Sequence, residues 1–198
     1  MKNNHTWVIC AYGESEFLEA CILSLQAQTL QSKIICYSST PLDSIKQLCQ
    51  KYGIPFYTKE GGGIGKDWNN ALSFVETSYA TIAHQDDYYE PTYLEAVMQK
   101  IEQSKDILIA YTDYFEEKNG VKIPANTNLK IKTLMLKTLN LMPASRFWRN
   151  RVLAFGNPIS CPAVTYNLEA LRDFRFDEEM RVSLDLSLIH ISEPTRPY

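Results

Sequence analysis

No apolar run in this chain reaches the roughly 18–20 residues that a membrane-spanning helix needs. No stretch repeats at a fixed period, which sets aside solenoids and propellers. Cysteine is present without a pairing pattern: Cys10, Cys21, Cys36, Cys49 and Cys161 are an odd count with no C-x-x-C. Four of them sit among apolar residues, so they read as buried free thiols rather than disulfides or metal ligands. Basic charge is not in excess, with 20 Lys and Arg against 23 Asp and Glu and a net charge of −3. That balance argues against a nucleic-acid-binding domain. The opening Met1-Lys2-Asn3-Asn4-His5-Thr6 leads straight into a β-prone segment without a signal-peptide apolar stretch. A cytoplasmic location is the expectation.

Two phosphate-binding fingerprints are also missing. The glycine-rich Gly61-Gly62-Gly63-Ile64-Gly65 invites both. A P-loop needs Gly, four residues, then Gly-Lys-Ser/Thr; here Gly65-Lys66 is followed by Asp67, and Glu60 stands five before Gly65. A dinucleotide loop belongs after the first strand, and this one follows the third. What remains is a flexible loop that allows close backbone approach. Asn69 and Asn70, just inside the next helix, are candidates to face a ligand.

What is there is an alternation of strand-like and helix-like segments. Thr6–Ala11, Lys33–Tyr37, Ile54–Tyr57, Thr81–Ala83, Asp106–Phe115 and Ala163–Tyr166 read as strands. Helical spacing follows Gly13-Glu14-Ser15, follows Pro41, runs from Asp67 to Glu76, and follows Pro91. This order predicts an α/β fold with a mostly parallel sheet and helices on both faces. After Glu117 the pattern changes: Lys118–Asn128 is loop-like, and Leu129–Leu141 and Ser145–Phe155 read as helices. Asn157–Pro162 is a rigid loop with two prolines. At 198 residues the chain holds one domain, or one with a short appendage.

The segment richest in chemistry is Tyr79-Ala80-Thr81-Ile82-Ala83-His84-Gln85-Asp86-Asp87-Tyr88-Tyr89-Glu90-Pro91. A short apolar strand ends in adjacent carboxylates. In an open α/β sheet, ligands bind just outside the carboxyl ends of the strands. Neighbouring carboxylates there repel each other unless a cation or donors hold them, and a divalent metal carrying a diphosphate meets that need. For Asp87 and Glu90 a plain helix N-terminus explains the residue type equally well. Asp86, at the strand end, is the functional candidate.

Charge is unevenly spread. From Lys118 to Arg151 there are eight basic residues and no acidic one, so the remainder carries −11. Either this segment meets an anionic partner, such as phosphate or lipid head groups, or it is a solvated helix face beside an acidic body.

The last dozen residues, Ser187 to Tyr198, fit nothing before them. They resemble translated sequencing-adapter read-through, so residues 1–186 are taken as the domain and the natural protein is expected to continue beyond about Leu186.

Taken in order, the motifs resemble glycosyltransferase family 2, inverting nucleotide-sugar enzymes of GT-A fold, over about Thr6 to Asp185. Cys10-Ala11-Tyr12-Gly13-Glu14 stands where the family has Pro-Ala-Tyr-Asn-Glu. Ser24-Leu25-Gln26-Ala27-Gln28-Thr29 is close to its Ser-Leu-x-x-Gln-Thr. Trp68-Asn69 follows the glycine loop where Arg-Asn is frequent, and His84-Gln85-Asp86-Asp87-Tyr88-Tyr89-Glu90-Pro91 faces Asp-x-Asp-Asp-x-x-x-Pro.

The resemblance implies a donor site at Ala11, Tyr12, Glu14, Ser38, Ser39, Lys66, Asn69, His84, Gln85 and Asp86. It implies a metal at Asp86, His84 and Asp87, and a base at Asp185. His84 replaces the first Asp of the motif, and an imidazole suits Mn²⁺ better than Mg²⁺. Tyr37-Ser38-Ser39-Thr40 replaces the nucleoside-contacting Asp residues at the end of strand two. The implied partners are a nucleotide-sugar donor, a UDP-sugar by analogy, and a glycan or lipid-linked acceptor, with peripheral membrane contact at the inner face. Two other readings compete: a non-catalytic nucleotide-sugar binding module, and a protein that contacts membranes through its basic segment.

Overall fold

The computed structural model describes residues 4–103, 107–118, 120–142, 145–172 and 175–179. The order is β1 (His5–Cys10), α1 (Leu18–Gln26), β2 (Lys33–Tyr37), α2 (Asp43–Lys51), β3 (Phe56–Tyr57), α3 (Ile64–Leu72), β4 (Tyr79–His84) and α4 (Tyr93–Glu102). Then follow β5 (Ile109–Tyr111), β6 (Glu117–Lys118), β7 (Val121–Lys122), α5 (Thr127–Leu139), α6 (Arg146–Leu153), a 3₁₀ turn (Cys161–Ala163) and β8 (Val164–Asn167). Six strands form one sheet in the order β3-β2-β1-β4-β8-β5. The β1, β2, β3 and β4 pairs are parallel, and β8 runs antiparallel to both β4 and β5.

Alternation along β1 explains why the sheet is covered on both sides. Trp7 and Ile9 pack with Cys21, Ile22, Leu25, Leu94 and Val97 of α1 and α4. Val8 points the other way, into Ile35, Ala71 and Ala80. A strand buried on both faces has no solvent side, so the run from Trp7 to Cys10 is apolar at successive positions and shows no period-2 pattern. Trp7 is fully buried beside Tyr89 and Tyr93, with ring centroids 4.6 and 5.4 Å away. The same core holds a polar chain. His5 Nδ1 meets Ser32 Oγ and its Nε2 meets Thr81 Oγ1, each at 2.9 Å, and Thr81 Oγ1 meets Thr165 Oγ1 at 2.6 Å. Burial drives the His5 pKa down to about 3, so the ring is neutral.

Four expectations shift. Of the long strand expected over Asp106–Phe115, Asp106 lies outside the described residues and the strand is Ile109–Tyr111; beyond Tyr111 its partner β8 gives way to the turn Cys161–Ala163. The helix expected from Asp67 begins a turn earlier at Ile64, after Gly63 with φ 112°, and ends at Leu72. The glycine stretch therefore runs into the helix. Gly65 packs so closely on the Asp177 backbone that a Cβ would lie 2.4 Å from its carbonyl oxygen. Finally, the expected loop after Lys118 contains the small hairpin β6–β7, turning through Gly120 with φ 76°.

Candidate active site

Parallel β1, β2 and β4 end at the same edge, and their following residues converge there. Ala11 N–H donates to Tyr37 O at 2.8 Å, and Ser38 N–H to Tyr57 O at 3.1 Å. Beyond the ladder, Gln85 joins β4 to β1 with its side chain: Tyr12 N–H donates to Gln85 Oε1 at 3.1 Å and Gln85 Nε2 donates to Tyr12 O at 2.8 Å. The amide acts as one more residue of strand. Gln85, expected in the donor site, has both atoms of its amide bonded to the Tyr12 backbone.

At the end of β2, Ser38 is fully buried, and its Oγ accepts from Thr40 N at 3.1 Å. Thr40 Oγ1 accepts from Gly13 N at 3.1 Å, which ties this turn to the β1 loop. Ser39 Oγ donates to Asp67 Oδ2 at 2.8 Å, so a carboxylate from α3 stands at the end of strand two. In the sequence Asp67 served to reject a P-loop and to start a helix, and it was not a candidate for the site. Its position in the first turn after a glycine run was the available signal. Tyr12 is 69% exposed and Glu14 is exposed two residues on. Lys66 lies along the glycine loop, where a Cβ on Gly62 would meet its Cδ at 2.8 Å. Asn69 is engaged by residues that follow β8. Its amide donates to Phe176 O at 2.9 Å and Glu178 Oε1 at 3.1 Å, and accepts from Phe176 N at 2.8 Å.

His84, Asp86 and Asp87 come together as expected, with one ligand atom from each within 4.8 Å of the others. His84 Nδ1 lies 3.7 Å from Asp87 Oδ2. Burial lowers the His84 pKa, against the pull of Asp86, and favours the neutral ring. Burial, with Asp86 beside it, pushes Asp87 up to about 6. A carboxyl whose proton affinity is raised by burial and by a neighbouring carboxylate fits a divalent cation, which would offset that repulsion. The fit is less complete at His84. Its Nε2 is buried and finds no partner among the described residues. Ligation through Nδ1 would put the proton on Nε2, and a metal-bound imidazole normally donates that second N–H. Asp86 and Asp87 are therefore the stronger donors.

Beside this triad opens a cleft of about 700 Å³. One wall is Asp86 to Glu90 with α4 behind it; the other is Thr112 to Glu117; Ser160, Pro162 and Ala163 close it. The rigid Asn157–Pro162 loop thus reaches the cleft. Tyr89 OH donates to Pro162 O at 2.8 Å, and Tyr88 OH to Glu117 Oε2. Lys122 pairs with Glu90 at 2.6 Å, and Lys132 donates to Tyr114 OH at 3.1 Å. Two cations of the basic segment thus turn toward the cleft.

A family model described as "Glycosyl transferase family 2" matches residues 6–161. The chain belongs to this family. Among curated proteins, it is similar to the glycosyltransferase GlyA of Streptococcus pneumoniae, with 24% identity over 123 residues, 59% of this chain and 18% of GlyA. Among solved structures, residues 1–349 of S. aureus TarS in complex with UDP match with a TM-score of 0.65 and 20% identity, covering 92% of this chain and 52% of that one. Glucosyl-3-phosphoglycerate synthase from Mycobacterium tuberculosis, in complex with Mn²⁺, UDP and glucosyl-3-phosphoglycerate, matches with a TM-score of 0.64 and 14% identity, covering 96% and 66%. The chain thus spans about half of the TarS structure and under a fifth of GlyA. These likenesses show the GT-A fold: a mostly parallel, Rossmann-like sheet with helices on both faces, as the sequence led one to expect.

In this family-2 chain, the expected base Asp185 and the tail from Ser187 lie outside the described residues. Of the cysteines, Cys21, Cys36 and Cys49 are buried free thiols, while Cys10 and Cys161 are half-buried.

Proposed function

We propose that this chain transfers a sugar from a nucleoside-diphosphate donor to an acceptor hydroxyl, with inversion at the anomeric carbon. The observation that carries this reading is the convergence of the β1, β2 and β4 ends around His84, Asp86 and Asp87, in a chain of family 2. The UDP and Mn²⁺ complexes of its structural relatives support a UDP-sugar and a divalent ion, and the imidazole of His84 favours Mn²⁺ over Mg²⁺. Ser39 and Asp67 stand where a nucleoside would be read. Ala11, Tyr12, Glu14 and Lys66 surround the same edge, and Gln85 holds it in shape. Ser38 and Asn69 act behind them by fixing the β2 turn and α3.

A divalent cation held by Asp86 and Asp87, with His84 beside them, would supply Lewis-acid stabilisation of the charge that develops on the departing diphosphate. The acceptor oxygen forms its bond to the anomeric carbon as the bond to the diphosphate oxygen breaks. That oxygen keeps the electron pair. Asp185 takes the acceptor proton, a contribution of about 10²–10⁴-fold. The acceptor, a glycan or glycolipid on the cytoplasmic side of a membrane, enters through the cleft lined by Asp86 to Glu90 and Thr112 to Glu117.

The deciding experiment is calorimetric titration of UDP in Mn²⁺ and then in EDTA, on the chain and on Asp86→Ala. Metal-dependent binding that disappears in the variant is expected. Equal binding in EDTA removes the metal role, and no binding by folded protein removes the donor site. A longer natural chain that binds UDP-sugar but never turns it over would make the protein a binding module.

A further inference from the structure

Helices α5 and α6 present an outer face unlike an ordinary solvated one. On α5, Leu129, Leu136 and Leu139 point inward, and Leu136 and Leu139 meet Val152 of α6. The opposite side of α5 carries Lys130, Ile131, Leu134 and Lys137, with Ile131 52% and Leu134 62% exposed. The same mixture continues past the helix. Leu141 and Met142 are exposed after α5, Phe147 on α6, and Phe155 just after α6 at 88%. Arg151 lies over the Phe147 ring at 5.5 Å. Single exposed apolar residues need no explanation, but a set of them on one helix pair marks a contact surface.

The charge identifies the partner. Between Lys118 and Arg151 there is no acidic residue, while the rest of the chain is net negative. A protein partner would need an acidic apolar groove. An anionic bilayer meets the requirement with no special shape, because apolar tips enter the head-group layer while Lys and Arg stems extend toward phosphates. We propose that the outer face of α5 and α6 docks on an anionic lipid surface. This does not depend on the donor-site reading, since none of these side chains lies at the strand ends.

The test is co-sedimentation of the chain with phosphatidylcholine vesicles, with and without phosphatidylglycerol, at low and high salt. Partition onto the anionic vesicles alone, lost at high salt, is expected. Lys130→Gln with Lys137→Gln should weaken it by about fivefold per lysine. Phe147→Ser with Phe155→Ser should weaken it at low salt, where binding is seen. UDP titration and circular dichroism on the same variants should be unchanged, which separates this proposal from the donor site and from misfolding. Equal partition onto neutral vesicles, or no partition at all, overturns it. So does a self-associated chain in solution whose dimer is broken by the phenylalanine variant, since the face would then serve a second copy.

Discussion

Residues 4–102 and residues 107–179 contribute to one sheet in opposite ways. The first stretch lays down β1 to β4 in parallel, each pair joined by a covering helix. At its ligand-facing edge the polar groups hold one another: Gln85 with Tyr12, Ser39 with Asp67, Thr40 with Gly13. The second stretch adds short antiparallel strands, then sends its helices outward between β5 and β8. There carboxylates face an open cleft and apolar side chains face out. The difference teaches that a parallel run covered by helices can tie its loops down by internal hydrogen bonds, while the second stretch leaves polar and apolar groups open.

The largest test breaks the first region. Trp7→Ala should cost about 3–5 kcal/mol in chemical denaturation, because a fully buried indole leaves a cavity among Tyr89 and Tyr93. A loss under 1 kcal/mol would mean the aromatic cluster is not the anchor. Next, Asp86→Ala should reduce Mn²⁺-dependent UDP affinity by at least about 100-fold, the upper end for loss of even an outer-shell partner, with little change in melting temperature.

A pH series sharpens the contrast further. His5 is buried and neutral, with its pKa lowered from 6.5 to about 3. Between those values the unfolded chain binds a proton that the folded one refuses. Stability is therefore fully present above pH 6.5 and falls on acidification, by up to about 1.4 kcal/mol per pH unit. His5→Asn should flatten that slope in urea titrations at pH 4 to 7; an unchanged slope assigns the effect elsewhere. The smallest effect belongs to the second region. Asn126 caps α5 by accepting from Leu129 N at 2.8 Å. Asn126→Ala should cost about 1 kcal/mol, seen as faster amide exchange in α5 with the β1–β4 amides unmoved.

The first region was the more legible. Lys33–Tyr37 was read with its observed ends, and the β4 strand with its carboxylates was the clearest signal in the chain. Local apolar runs and turn residues carry that information. The second region depends on partners far along the chain. The sequence around β5 supports a longer strand, yet its partner β8, about fifty residues away, gives way to a turn beyond Tyr111. The Asn119-Gly120 pair was a readable hairpin signal that went unused. Within the site, His84, Asp86 and Asp87 were found because sequence neighbours stay neighbours. That Asn69 would grip Phe176, or that Asp67 would reach Ser39, follows only from the fold.

Helix α5 is shared by both surfaces of the second region. Thr133 bonds Asp113 and Lys132 bonds Tyr114 at the cleft wall, while Leu134 and Lys137 look outward. An α-helix with its side chains is about 10–12 Å across. A surface seated on α5 would therefore lie one helix thickness from the cleft wall. An acceptor tethered to that surface could reach the cleft on a stalk about one helix diameter long, and reach rather than affinity would select it.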